Sequence, residues 1–411
     1  MPNTAGKGLF VTNIGMIKAN YGHKGDLAIV RGTLNTFKEL NFNANLFIDP
    51  DISMPADAYD DISIMRSWPS ILQQNVISGQ GIRKRAYIES FYSYLTWRPE
   101  PVDLDYLWYL GGVRFGAMAQ RYAIMELIYA LFCKDQFKKD LIFGGISITK
   151  RADPLSKLYT SILHKKVINK VDFIFTRDTR TFEFLKKQGF PESKLSFICD
   201  FSFHLNHMRT NKTELIAQSI KEFEQPIGII ADTSMLKRVG TNFDNERFNR
   251  VLKLIKTLKN EGFSIILIPL SNLRLSNPPP YTQDDREACN EINKKIGYNF
   301  PIIDTNDLFP EEIIEIMTSL NAIISVGRLH GAVLGCLANI PTFHVYFEEK
   351  ALMFKDYFED FPLFWYKDWI SNVHIDNEII KSIQSYEPMI YDKKINLWRN
   401  RAMNEIERVM G

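Results

Sequence analysis

Short runs of β-branched and aromatic residues alternate with amphipathic stretches along most of this 411-residue chain, in two successive series. Repeated strand-then-helix patterning is what parallel strands joined by crossover helices require, so the chain is restricted to the α/β class. The first series carries strand signals at 9–12, 44–48, 106–110, 141–143, 173–176 and 195–199. After the first of these comes a loop over 13–25 and then DLAIVRGTLNTFKEL, where Leu27, Val30, Leu34 and Phe37 share one helical face and Asp26 is placed to cap the helix. A polar segment, 206–225, separates this series from a second one, with strand signals at 227–231, 264–270, 301–304, 322–326 and 342–346. The expected organisation is two doubly wound, Rossmann-like domains, 1–206 and 207–385, followed by a C-terminal segment, 386–411, that forms a long basic amphipathic helix packing back across the domains. The Trp- and Tyr-rich stretch 51–101 gives no assignable pattern, and Ser276-Asn277-Pro278-Pro279-Pro280 reads as a surface loop. In open α/β sheets ligands settle beyond the carboxyl ends of the strands, so two facing domains imply a cleft, with the chemistry in strand-to-helix loops.

Composition excludes several function classes. Fifty Lys plus Arg against 48 Asp plus Glu leave a net charge of +2, which gives no electrostatic footprint for binding nucleic acid. With 45% hydrophobic and 24% charged residues the chain is an ordinary globular protein rather than a disordered or fibrous one. Cys133, Cys199, Cys289 and Cys336 are scattered among apolar neighbours with no CxxC pair, which points to a reducing cytoplasm and to no zinc site. No apolar run is long enough for a signal peptide or a bilayer span; the longest, 123–133, is interrupted by Glu126. His204 and His207 form HxxH without partner carboxylates or thiols, so no metal is expected there.

The strongest local signal is AIISVGRLHGAVLGCLANIPTF. A buried strand ends at Val326, Gly327 turns the chain, and a helix rich in small residues begins near His330. Free N–H groups at a helix start favour an anion, and Arg328 with His330 would complete a phosphate or carboxylate site. The competing reading of an isolated RxH is that Arg328 pairs with a carboxylate and His330 satisfies a local hydrogen bond. The second signal, DFIFTRDTRTFEFLKKQG, places Arg177 at a strand end, Asp178 as N-cap and Gly189 as the helix stop, with Arg177 either meeting an anion or forming a structural pair. Third is YGHKGDLAIVRG, whose glycine spacing matches neither dinucleotide nor nucleoside-triphosphate fingerprints. Its Asp26 can orient or deprotonate a hydroxyl or act only as a cap. Weaker candidates are Gly112, where a strand ends in LGG, and Lys350, shortly after the last strand signal.

Taken in order, GDLAI at 25–29, LGG ending at Gly112, the GGIS turn at 144–147, TRDTRTFEFLKKQG ending at Gly189, RLHGA at 328–332, and Pro341 with Lys350 resemble the polysaccharide pyruvyl transferase family. The chain departs from it at Lys24, where the family often has Asn, and at FGGISIT, where it often has GQSIGP. The resemblance implies a GT-B-like pair of domains, with the N-terminal one on the acceptor side and the C-terminal one on the donor side. It also implies transfer of a pyruvyl group from phosphoenolpyruvate to two hydroxyls of one sugar, forming a cyclic ketal, with no cofactor beyond that co-substrate. Carried over, Arg328 and His330 are implicated in donor use; Arg177, Gly331 and Lys350 are further donor-binding candidates, and Asp26 and Gly112 acceptor-binding ones. His330 is the expected acid, Arg328 the stabiliser of shifting charge and Asp26 the group that orients or deprotonates an acceptor hydroxyl.

Two other functions fit the same scaffold: a sugar-nucleotide-dependent glycosyltransferase, and a non-catalytic binding protein in glycan assembly. The expected acceptor is a sugar, oligosaccharide or lipid-linked glycan. Lys393, Lys394, Arg399, Arg401 and Arg408 of the tail either touch an anionic membrane at the inner face or are simply exposed on a packed helix.

Overall fold

The computed structural model describes residues 12–17, 24–48, 63–66, 103–115, 130–131, 133–148, 169–232, 242–271, 284–372, 374–385 and 391–411. Two compact units divide the chain: 1–19, 33–198 and 400–411 form the first, and 20–32 with 199–399 the second. The division at 198 lies a few residues before the expected one at 206. The segment 20–32, expected in the first domain, groups with the second.

The first unit is built on β1 (Asn13–Ile17), β2 (Asn43–Ile48), β3 (Ser63–Arg66), β4 (Tyr106–Phe115), β5 (Asp140–Ile148), β6 (Phe173–Thr176) and β7 (Leu195–Phe197). All pair in parallel in the order β3-β2-β1-β4-β5-β6-β7, a doubly wound topology. Helix α1 (Lys24–Glu39) connects β1 to β2, and α2 (Thr179–Lys187) connects β6 to β7. One sheet face packs Tyr109, Phe143, Ile174 and Leu185 into a buried cluster. Elsewhere in the unit, Trp108 is buried edge-on against Phe37 of α1 and stacked on Phe175. Asp178 caps α2 by accepting from the Thr181 N–H at 2.7 Å, and Gly189 ends it with φ +85°, as the sequence predicts.

Three expectations need correction here. The first described strand is NIGMI at 13–17, so part of the expected loop is strand, while 9–11 of the expected strand lie outside the described residues; the Ile14 and Met16 side chains are fully buried, and pairing with both β2 and β4 fixes the register. GGIS at 144–147 is not a turn but part of β5, with Gly145 at φ +67° and a register irregularity towards β6. Asp26 is not the cap of α1: the helix starts at Lys24, and Asp26 lies in its first turn, where a carboxylate still favours the helix dipole. β3 is an addition, from within the unassigned stretch. The SNPPP segment and most of 51–101 lie outside the described residues.

The second unit contains β8 (Pro226–Ala231), β9 (Ser264–Leu267), β10 (Ala322–Val326), β11 (Thr342–Tyr346) and β12 (Leu363–Trp365), parallel in the order β12-β11-β10-β8-β9. Between them run α3 (Asn242–Asn260), α4 (Asp285–Ile296), α5 (Pro310–Met317) and α6 (Leu329–Leu337). β8 and β10 are buried along their whole length, as a strand covered on both faces must be. Val251, Leu254, Ile255 and Leu258 of α3 join Ile227, Ile229 and Ile324 in the core. The expected strand at 301–304 is a single bridge, Ile302 to Leu267, and β9 stops before Pro269; neither Pro301 nor Pro269 has an N–H to extend a ladder. The polar segment 206–225 contains a helix over Asn211–Lys221.

Helix α7 (Tyr391–Met410) ends the chain. Of its five basic residues singled out above, Arg399 donates to the carbonyls of Phe203 and Leu205, Arg401 lies over the Phe197 ring, and Arg408 pairs with Glu405. Among the described residues no helix is long and apolar enough to cross a membrane.

Gly32 is the tightest point of α1 in the second unit: a Cβ there would lie 1.8 Å from the carbonyl oxygen of Phe201. Backbone on both sides cannot give way as a side chain can, so Gly32→Ala is expected to destabilise the protein by about 1–3 kcal/mol or more. Thermal melting of the purified variant checks this, with an unchanged midpoint as the contrary result.

Candidate active site

The second sheet reverses its winding between β8 and β10, and such a switch point is where α/β sheets gather ligands. The chain leaves β8 at Asp232 and β10 at Gly327 and Arg328. Gly327 makes its turn at φ +84°, and a Cβ there would come within 2.6 Å of the Phe347 ring. Gly331 then lets the first turn of α6 lie on the sheet: a Cβ would sit 2.7 Å from Ser325 Oγ and 2.8 Å from Ile230 Cδ1. Arg328, at the N-cap of α6, makes no side-chain cap: Ser325 Oγ donates to its carbonyl at 2.6 Å, and its own side chain is directed elsewhere.

It is directed at two carboxylates. Arg328 Nε donates to Asp285 Oδ2 at 2.9 Å and Nη2 to Asp285 Oδ1 at 2.5 Å, a fork-on-fork pair; Nη2 also lies 3.0 Å from Asp232 Oδ1. Asp285 is fully buried, and its Oδ2 accepts in addition from the Ser271 N–H at 2.9 Å. Burial opposes the guanidinium charge, but the fields of Asp285 and Asp232, with a smaller one from Asp26, outweigh it and hold Arg328 above its ordinary pKa. The carboxylate pairing considered for an RxH is therefore present, and the charge of Arg328 is matched before any ligand arrives.

His330, in the first turn of α6, has its buried Nε2 4.0 Å from Asp200 Oδ2. Lys350 pairs with Glu348 at 2.9 Å. Its charge also adds to the burial that pushes neighbouring His344 down to about 4, so that ring is neutral while its Nδ1 bonds the Ser325 carbonyl at 2.9 Å. Asp26 belongs to this unit through its field on Arg328. Just before it, Lys24 is buried, and its ammonium donates to the carbonyls of Asn306 at 2.9 Å and Leu308 at 2.7 Å. Burial lowers its pKa to about 8, against the opposing fields of Asp307 and Glu312. The residue that departs from the family pattern thus fastens α1 to the loop before α5.

Arg177 and Gly112 belong to the first unit. Arg177 is buried at the end of β6, and its Nε donates to Ser147 Oγ, which donates to Asp178, each at 2.7 Å. Gly112 lies within β4 opposite Ile146 of β5. His204 and His207 diverge: His204 is buried beside Cys199 and driven down to about 3 mainly by burial, whereas His207 faces the Leu337 carbonyl and Glu315. Sequence reasoning missed Asp200, Asp232, Asp285 and the strap made by Lys24. Asp232 alone had a signal, following a buried strand just as Arg328 does.

A family model described as polysaccharide pyruvyl transferase matches residues 23–349, which include the GDLAI and RLHGA segments. The chain belongs to the polysaccharide pyruvyl transferase family. No curated protein sequence matches it. Solved structures share its fold at low identity. Anabaena HepE in complex with UDP-glucose has a TM-score of 0.55 at 10% identity, covering 97% of this chain and 99% of that one. UDP-GlcNAc 2-epimerase from Methanocaldococcus jannaschii gives 0.54 at 10%, covering 92% and 94%. A trehalose 6-phosphate synthase from Burkholderia multivorans gives 0.54 at 9%, covering 97% and 98%. These are GT-B proteins, and the chain has that fold, with two parallel-sheet α/β domains.

Two outcomes are expected of this pyruvyl transferase. Arg328→Ala leaves Asp285 buried without its cation, so it should cost about 3–5 kcal/mol and lower the melting temperature by several degrees, measurable by calorimetry. Lys24 is protonated to a higher pH unfolded than folded, so its contribution to stability rises as pH increases from about 8 towards 10.5. Denaturation of wild type and Lys24→Met across that interval should show the difference moving in favour of wild type by up to about 3 kcal/mol.

Proposed function

We propose that the protein transfers the pyruvyl group of phosphoenolpyruvate to two hydroxyls of a sugar in a polysaccharide or glycan precursor, forming a cyclic ketal, with the second unit as the donor side. One observation carries the reading: the family match runs through RLHGA, and there His330 stands in the first turn of a helix whose amides the side chain of Arg328, at the N-cap, does not cap. Those amides and the positive end of the helix dipole suit the donor's phosphate or carboxylate. Arg328 reaches the donor by exchanging Asp232 for it while keeping its fork on Asp285, which fixes the plane of the guanidinium. Lys350 adds positive charge from the segment after β11.

In the reaction, His330 gives a proton to C3 of phosphoenolpyruvate, and an acceptor hydroxyl oxygen bonds to C2. The C2–O bond to phosphorus then breaks, its electron pair leaving with inorganic phosphate. The second hydroxyl bonds to C2 and closes the ketal. Both hydroxyl protons are lost, and Asp26 is the carboxylate we assign to orient and deprotonate the acceptor. Arg177 and Gly112, in the first unit, remain candidates for holding donor and acceptor respectively. No cofactor is assigned to the reaction. The site is placed in the cytoplasm, where phosphoenolpyruvate is available.

Calorimetric titration tests this reading. Phosphoenolpyruvate should bind in preference to UDP-glucose. His330→Ala should reduce turnover about 10²- to 10⁴-fold once an acceptor is supplied, without loss of fold. Asp232→Asn removes the negative charge that competes with the donor, and should tighten phosphoenolpyruvate binding about tenfold. Preference for UDP-glucose would move the protein to sugar-nucleotide chemistry, and an unchanged affinity in Asp232→Asn would remove the exchange at Arg328.

A further inference from the structure

The first turn of α1, the segment 269–271 after β9 and the loop 305–308 are bonded to one another in a closed triangle. Lys24 supplies two of its sides: its backbone N–H donates to the Leu270 carbonyl at 3.1 Å, and its ammonium donates to the carbonyls of Asn306 at 2.9 Å and Leu308 at 2.7 Å. Thr305 Oγ1 closes the third by donating to the Pro269 carbonyl at 2.5 Å. The segment 269–271 also carries the partner of Arg328. The N–H groups of Leu270 and Ser271 donate to Asp285 Oδ2 at 3.3 and 2.9 Å, and the Asp285 N–H returns to the Ser271 carbonyl at 2.7 Å. Two turns along α1 from Lys24, and so on the same face, Arg31 pairs with Glu311 at 2.6 Å and lies 4.4 Å over the Phe309 ring. Asp26 is two residues from Lys24, about 200° round the helix, so Lys24 acts on it through the backbone and not by side-chain contact.

A buried ammonium is a costly anchor, and Lys24 is only 6% exposed. What it adds over an apolar side chain is direction. Apolar contact is non-directional and lets a helix slide, whereas two hydrogen bonds to carbonyls two residues apart hold the helix start at one point. We infer that Lys24 is a positioning residue for Asp26: its ammonium pins the start of α1 to the loop 305–308, and its backbone ties that start to the segment whose amides hold Asp285, so that Asp26 and the Arg328 fork are kept in one frame. This purpose depends on Asp26 acting on the acceptor, as proposed above; the triangle itself does not.

Lys24→Met removes the two ammonium bonds but keeps the backbone bond to Leu270, so the hold on Asp285 survives. The test is a double-mutant cycle with Asp26→Asn at neutral pH, below the value of about 8 at which Lys24 loses its proton. In the parent background Lys24→Met should lower kcat about 10- to 100-fold, the cost of misplacing a reacting group, while calorimetric affinity for phosphoenolpyruvate stays within about twofold. In the Asp26→Asn background the same substitution should change kcat less than about twofold, because a group that has lost its chemistry loses nothing by moving. A purely structural Lys24 would lower kcat by the same factor in both backgrounds, and that result overturns the inference. So does parent kcat in Lys24→Met, or a fall in phosphoenolpyruvate affinity that accounts for the loss. Lys24→Gln, whose amide donates from one bond nearer the backbone, serves the same cycle under the same criterion if the methionine variant does not fold. Hydrogen exchange of the ligand-free protein gives a readout that needs no substrate: in Lys24→Met the amides of residues 28–30 should exchange about tenfold faster or more, with those of α6 unchanged. Unchanged exchange at 28–30 overturns the inference. Faster exchange there, with no binding or turnover of phosphoenolpyruvate by the parent protein, would keep the anchor but reject the pyruvyl-transfer reading and with it the purpose assigned to Lys24.

Discussion

The fork between Arg328 and Asp285 is the interaction on which the second unit's site depends. It joins the turn after β10 to the start of α4, which are 43 residues apart in sequence, and gives a fully buried carboxylate a cationic partner. With the guanidinium drawn to Asp285 and Asp232, Arg328 gives α6 no side-chain cap, and the Gly331 N–H turns back to the Arg328 carbonyl at 3.0 Å. Gly327 and Gly331 serve the same end by different means, one through a left-handed turn and the other through close contact with Ser325 and Ile230. In the donor site we propose, Arg328 organises the turn through its two carboxylates first and meets the ligand second.

The parts of this arrangement that were legible in sequence are those encoded locally. AIISV has five consecutive residues that are buried in the fold, and the glycine and small residues after it announce a helix lying close on a sheet. Asp178 and Gly189 bracket α2 because caps and stops act over a few residues. Parallel sheets and two doubly wound units follow from the alternation itself. What was not legible depends on long-range pairing. NIGMI, within a stretch whose local pattern reads as loop, pairs with both β2 and β4. Pro269 and Pro301 shortened strands that their apolar neighbours suggested should continue. Asp285 gave no local signal of its burial or of its partner, and Asp200 looked like an ordinary residue at the end of a strand. Lys24 was read only as a departure from the family pattern, whereas the structure shows it as a buried strap.

Fold and family separate here in an instructive way. The solved structures that share the GT-B fold include complexes with UDP and UDP-glucose, at about 10% identity, and they speak to architecture alone. The family match spans residues 23–349, and within it RLHGA lies at the point where the second sheet reverses its winding. Asp26 illustrates the point. Its segment lies early in the chain, yet groups with the second unit, where its charge is felt by Arg328.

The central claim is that the amides of the first turn of α6, with His330 and the Arg328 fork, form the donor site. A crystal structure of the protein with phosphoenolpyruvate tests it most directly. The account predicts the ligand's phosphate or carboxylate on the amides of the first turn of α6, Arg328 still on Asp285 but parted from Asp232, and His330 facing the ligand. Phosphoenolpyruvate bound away from this turn, or bound here with the Arg328–Asp232 contact intact, would contradict it.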